Sequence, residues 1–169
     1  MKRYVHAAIV DVPNEHPDVR YQVAENPKTR PEVLARLATD EEWYIREAVA
    51  GNPNTALMTL DELSTDKERV VRRAVAKNHN TPYNILFRLS HDVDNTITAA
   101  VARHHNTEPD VLANLATSSD PITRYWVACN RNTPISVRKT LAESDTDNRV
   151  LFAAAQVLKN LDWATQVLY

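Results

Sequence analysis

Residues 78–82 read Asn-His-Asn-Thr-Pro, "NHNTP". The same place 26 residues on reads "HHNTE" (104–108), and 26 further it reads "NRNTP" (130–134). A chain of 169 residues with a single glycine thus keeps writing Asn-x-Asn-Thr at one interval. Fixed periods of this length are the signature of stacked repeats. Set in 26-residue rows beginning at Pro17, Trp43, Arg69, Asn95 and Pro121, the chain falls into columns. Val19, Ile45, Val71, Ile97 and Thr123 form one, and Val23, Val49, Val75, Val101 and Val127 another. Ala24, Ala50, Ala76, Ala102 and Ala128 follow, then Leu34, Leu60, Leu86 and Leu112, then Leu37, Leu63, Leu89, Leu115 and Leu141. The threonine column has no exception: Thr29, Thr55, Thr81, Thr107, Thr133.

Each row holds two helical segments. The first, as in "RVVRRAVAK" (69–77), spaces Val71, Ala74 and Val75 for one helical face, and the second, "PYNILFRLS" (82–90), does the same with Ile85, Leu86 and Leu89. Helices this short are marginal alone in water, so they must stack on neighbouring rows. The Leu37–Leu141 column is the expected spine of that core, each fully buried Leu contributing about 1.5–3 kcal/mol. The motif itself reads as a two-sided helix cap. The first Asn (Asn26, Asn52, Asn78, Asn130) follows the first helix, where a left-handed residue commonly closes the turn and Asn is second to Gly. Its amide can also bond the loop of the adjacent row. The Thr is expected to N-cap the second helix, with Pro82 and Pro134 at the first helical position and Thr29 with Glu32 as a capping box. Residues 17–143 make five such repeats. Residues 144–169 read as a degenerate capping repeat, with Trp163 and Leu168 covering the last open face. Residues 1–16 are expected to cap the other end, and "YVHAAIVDV" does not decide between helix and strand.

The stretch "VRRAVAKNHNTPYNILFRLSHD" (71–92) resembles the leucine-rich repeat variant, a HEAT-like solenoid with the pattern V-R-x-A-V-A-x-N-x-N-T-P-x-x-L-x-x-L-A-x-D. The resemblance runs over about residues 17–158. It implies an all-α, right-handed α-α superhelix of the HEAT/armadillo kind in a single domain, with first helices partly 3₁₀. The family carries no general activity, so the resemblance implies a fold and little function. The chain departs from the pattern at Thr98 for Arg, His104 for Asn and Arg138 for Leu.

Composition narrows the function classes. No run of about 18 apolar residues exists to span a membrane, and the start "MKRYVHAAIVDV" lacks a small-residue cleavage site. The one cysteine, Cys129, can neither close an internal disulfide nor hold a metal alone, which fits a reducing, cytoplasmic setting. A formal charge of −2 gives no global attraction to nucleic acid. The single glycine excludes Gly-rich phosphate loops, and no nucleophile elbow, zincin helix or kinase signature is present. No catalytic, cofactor or metal residues are therefore assigned.

Several constellations remain. Arg20, Arg46, Arg72 and Arg124 share a column, and Asp40, Asp66 and Asp92 share another. A ladder of ion pairs fixing the stack is preferred to a phosphate-binding row. The in-phase acids Asp40/Glu42, Asp66/Glu68, Asp92/Asp94 and Asp145/Asp147 lack the Gly and distal Glu of a calcium loop and read as caps at helix starts. His79 and His105 share a column, but at about 10 Å between stacked helices they are not expected to share a metal. First-helix C-termini should line one edge, carrying Lys77, His79, Arg103, His104, His105 and Arg131. Trp126 stands in the alanine column of Ala48, Ala74 and Ala100, beside Tyr125, and Tyr21 is in phase with Tyr125. Trp126 either plugs a wider gap near the C-terminal cap, the preferred reading, or floors an exposed groove. A glycosylase resembling the HEAT-like alkylpurine DNA glycosylases would need a basic concave face and a carboxylate among aromatics, and only Asp120 lies near Tyr125 and Trp126. The expectation is a non-catalytic scaffold binding a macromolecule, foremost a protein, through an extended face. Its alternative is nucleic-acid binding along the basic edge.

Overall fold

The structure is a computed structural model and describes residue 12 and residues 15–167, the side chains only as far as residue 160. Most of the expected N-terminal cap, and the expected lid of Trp163 and Leu168, lie outside the residues whose side chains are described.

The described chain is helical, in alternating nine- and seven-residue segments. The first helices of the rows are α1 (Pro17–Glu25), α3 (Trp43–Gly51), α5 (Arg69–Lys77), α7 (Asn95–Arg103) and α9 (Pro121–Cys129). The second helices are α2 (Pro31–Leu37), α4 (Leu57–Leu63), α6 (Tyr83–Leu89), α8 (Pro109–Leu115) and the longer α10 (Ile135–Ser144), and α11 (Asn148–Val167) follows. First helices stack on one another in order, from α1 through α9 to α11. Each of α2, α4, α6 and α8 packs against its own first helix and the next. The architecture is an α-solenoid. The expected 3₁₀ character is confined to the ends of the first helices: in α5, Val71 N bonds Glu68 O and Asn78 N bonds Val75 O, while the bodies are α-helical.

The columns form the core. Val49, Val75, Val101 and Val127, with Ala24, Ala50, Ala76, Ala102 and Ala128, are wholly buried, and so are Leu34, Leu60, Leu86 and Leu112. The spine Leu37, Leu63, Leu89, Leu115 and Leu141 is buried throughout. Val150 and Ala154 of α11 continue the buried face with a one-residue shift, so α11 takes the place of a sixth first helix.

The capping motif works differently from its sequence reading. Asn78 is not left-handed; it sits at φ −69°, ψ 123°, and no non-glycine residue described has positive φ. Its side chain makes the link instead. Asn78 Nδ2 donates to Ala50 O at 2.7 Å and Asn52 O at 2.9 Å in the preceding repeat, and Oδ1 accepts from Asn80 N. Asn52 and Asn130 repeat this geometry. The second Asn also reaches back: Asn80 Nδ2 donates to Pro53 O, and Asn132 Nδ2 to His105 O and Thr107 O. The Thr does not N-cap the second helix either. Thr81 Oγ1 donates to Val75 O at 2.6 Å, Thr29 likewise to Val23 O, and the N-cap positions of α2 and α6 fall on Arg30 and Pro82 with no side-chain cap bond. An α-helix leaves its last carbonyls without partners. The motif supplies them, Thr to its own first helix and Asn to the one before.

The ion-pair ladder is present. Arg20, Arg46 and Arg72 each clamp the carboxylate twenty residues ahead through Nε and Nη2, at 2.6–3.2 Å. Arg124 does the same to Asp145. A third N–H of Arg46 donates to Asp40 O in the turn behind, so each guanidinium ties successive turns together. Burial alone would raise the Asp40 carboxyl; the hydrogen bonds from Arg20 and Glu42 N, with the Arg20 charge, hold it below its ordinary value.

Each departure from the pattern has a structural role. Thr98 replaces the ladder Arg, and the place of its Asp partner holds Ser118, so both halves of one rung are missing together. Thr98 Oγ1 instead meets Thr123 Oγ1 at 3.2 Å. His104 does the work of Asn with one donor: Nε2 lies 2.9 Å from Asn78 O, and Nδ1 accepts from Asn106 N. Arg138, 2% exposed, donates to Ala128 O and Asn130 O. Those are the carbonyls the Asn of a further repeat would take. Arg138 therefore terminates the asparagine ladder, and the broken leucine column is part of the C-terminal cap.

Candidate interaction face

A helix packed on two neighbours and roofed by a second layer keeps only a narrow strip for solvent. On α5 that strip includes Arg73 and Lys77; on α7, Ala100 and Arg103; on α9, Ile122, Tyr125, Trp126 and Cys129; on α11, Arg149 and Phe152. The stack lines these into rows across the repeats. The basic edge forms as expected for Lys77, His79, Arg103, His105 and Arg131, all exposed. His79 and His105 approach to 5.8 Å between ring centroids, closer than helix spacing alone suggests, because both project from the same loop position. His104 does not join the edge. It is 6% exposed, stacks on His105 at 4.6 Å and is committed through both nitrogens to the backbone. Burial lowers its pKa, with the hydrogen bond to Asn78 partly opposing that and the charges of His105 and His79 adding to it.

Trp126 serves both of the readings its sequence position allowed. One side packs on the core, while the other lies under Arg103, whose guanidinium carbon is 4.6 Å from the ring centroid. Cation–π contacts of this kind contribute about 0.5–1 kcal/mol at exposed sites. Tyr125 meets Trp126 edge-on at 5.2 Å, and the Cys129 thiol beside it raises its phenol pKa. Together with Ile122, Phe152 and Arg149 they line an open groove of about 450 Å³. Ile122 and Phe152 are 51% and 66% exposed. Arg149 is held against Asp147 at 2.8 Å, which keeps that carboxyl down at about 2. Tyr21 lies apart at the other end, 5.9 Å from Tyr44, its hydroxyl donating to Glu25. The structure thus joins Arg103, Tyr125 and Trp126 and leaves Tyr21 elsewhere. Ile122, Arg149, Phe152 and Arg73 were not singled out in the sequence. Ile122 and Arg149 share a column, and Phe152 falls under Tyr125, only once the one-residue insertion is carried into α11.

The acids that faintly suggested calcium loops are used by the fold. Asp92 and Asp145 are clamped by Arg72 and Arg124, and Asp94 caps α7 through Thr96 N. Among the described residues no group of three or more His, Cys, Asp or Glu could hold a metal ion, and no helix is long and apolar enough to cross a membrane.

A family model described as leucine rich repeat variant matches residues 17–42, one complete row. The solved structure of a leucine-rich repeat variant with a novel repetitive structural motif is 22% identical, covering 85% of this chain and 67% of that one, with a TM-score of 0.48. The crystal structure of an engineered protein is 17% identical over 86% of this chain and 89% of its own, with a TM-score of 0.42. No curated protein matches the chain.

Proposed function

The chain carries the repeat of the leucine rich repeat variant, and on that frame we propose that it is a non-catalytic, cytoplasmic scaffold whose first-helix face binds a protein partner. The observation that carries this reading is the groove of Ile122, Tyr125, Trp126 and Phe152, open beside Arg103 on the stacked first helices. Aromatic and Arg side chains on an exposed, supported surface are the usual anchors of protein recognition. The ladder spends most buried polar groups on the fold, and the buried carboxylates Asp40, Asp66 and Asp92 are held in bidentate structural clamps. Arg103, Lys77 and Arg131 also support the second reading, a weak, salt-dependent hold on nucleic acid.

Affinity capture from lysate of the native cell separates the two. Wild type and the Tyr125→Ala/Trp126→Ala variant would be compared, each with and without nuclease. Capture of proteins that survives nuclease and disappears in the variant is the expected result. Capture abolished by nuclease would replace the protein reading with the nucleic-acid one, and capture indifferent to the double substitution would remove this face from either.

A further inference from the structure

We propose that the groove takes an acidic peptide segment with an apolar anchor: a large aliphatic or aromatic side chain seated on Trp126 and Phe152, with carboxylates running back toward α5. The proposal rests on the preceding reading that this face binds protein, and it specifies the chemistry. Three observations fix it. The anchor site is apolar and half built, since Tyr125 and Trp126 lean on the core while Ile122 and Phe152 stand exposed. The flank toward α7 and α5 is positive: Arg103, Lys77 and Arg73 follow one another across two helices, and among the described residues no acid is hydrogen-bonded or ion-paired to any of them. Between the flank and the anchor, α7 presents the small side chains of Ala100 and Thr96 and keeps Ala99 buried, so no bulky side chain there interrupts the path.

Charge complementarity then chooses the occupant. The acids of this strip, Asp18, Glu25 and Glu47, sit on α1 and α3, two or more helices away from the groove, with Glu47 in the column of Arg73 on the helix next to α5. Adjacent helices pack about 10 Å apart, and an extended strand advances about 3.3 Å per residue. A carboxylate meeting Arg103 and another meeting Lys77 are therefore about three residues apart on the partner. Nucleic acid matches the charges but places its stacking base and phosphates without the apolar side chain that Ile122 and Phe152 call for.

Fluorescence anisotropy with labelled twelve-residue peptides tests this. The first peptide carries a Leu-Phe anchor followed by Glu two and five residues later. The second replaces the Glu by Gln, the third replaces the anchor by Ser-Gly, and a labelled twenty-nucleotide oligo-dT serves as the polyanion. The first should bind at low salt, with the second and third at least tenfold weaker. The exposed pair Lys77→Gln/Arg103→Gln should abolish the preference for the first over the second, and Trp126→Ala the preference for the first over the third. Alkylation of Cys129, one turn from Tyr125 and exposed, should slow when the first peptide is bound. Equal binding of all three peptides, no binding of the first, or oligo-dT binding at least as tight as the first would overturn the proposal. If the first peptide fails while lysate capture still depends on Tyr125 and Trp126, the acidic chemistry is wrong and the face remains; if capture too is indifferent, the face itself is wrong.

Discussion

At the scale of single residues, the motif that reveals the repeat also shows where sequence logic misassigns work. Asn after a helix suggests a left-handed turn because Asn tolerates one, but that inference concerns only the residue's own backbone. In a solenoid the neighbouring row is always within reach, and its orphan carbonyls make a stronger claim on the amide. Asn78→Gly should therefore be far from neutral. It strips Ala50 O and Asn80 N of their partner and leaves Asn52 O with Thr55 N alone, and each unsatisfied buried group costs about 1–3 kcal/mol, so the loss should be about 2–4 kcal/mol in urea melts. A near-neutral glycine would restore the backbone account. His104 carries a second consequence. Its Nδ1 accepts from Asn106 N, so protonation sets two N–H groups against each other beside His79 and His105. Folding lowers its pKa, so the unfolded chain takes up the proton first as pH falls. Stability should accordingly drop as pH goes below about 6.5 and level off under the folded-state value. The ladder carboxylates, also depressed, give way only below about 4. His104→Asn should flatten the upper step alone, read as the urea midpoint against pH; an unchanged slope between pH 6.5 and 5 would sink the assignment.

At the scale of elements, the helices and their buried faces were legible because period and column agree: every residue between Leu34 and Ala128 in the columns of Val49, Ala50, Leu60 and Leu63 is buried. The helix starts were not, since Thr-Pro resembles a cap in any sequence, and only the packed loop shows the hydroxyl turned back to Val75 O. Arg138 illustrates the same limit. In the leucine column it reads as a blemish. Its function depends on what is missing, the Asn of a further row, and absence leaves no mark in a column. Arg138→Leu restores the pattern and adds apolar burial, yet it should destabilise by about 1–3 kcal/mol, because Ala128 O loses its donor and Asn130 O keeps only Thr133 N. Thermal or urea unfolding of the variant decides it, and a gain in stability would mean that water serves those carbonyls as well. The groove was half legible: Trp126 and Tyr125 stand out in their columns, while Phe152 is hidden behind the shifted frame of α11.

At the scale of the whole molecule, a repeat array is stabilised link by link, so weak links are local and add up along one dimension. Two coincide around α7. On its α5 side, His104 offers one donor where Asn offers two. On its α9 side, the Thr98–Ser118 pair leaves out the bidentate rung that joins the other stacked helices. The core columns run through this joint unbroken, with Ile97, Val101 and Ala102 wholly buried. The fold should therefore hold there while opening more readily than its neighbours. The joint borders the Arg103–Trp126 contact, so bending at α7 would move the basic flank relative to the groove. Native-state hydrogen exchange should report lower opening free energies for α7 and α8 than for α3 through α6. Installing the missing rung as Thr98→Arg/Ser118→Asp should slow exchange there. Either substitution alone should destabilise, since it buries a charge without its partner, and the two should couple favourably by about 1–3 kcal/mol. Uniform protection from α3 to α8, or no coupling between positions 98 and 118, would show that the missing rung is immaterial and that the apolar columns alone set the stiffness of the solenoid.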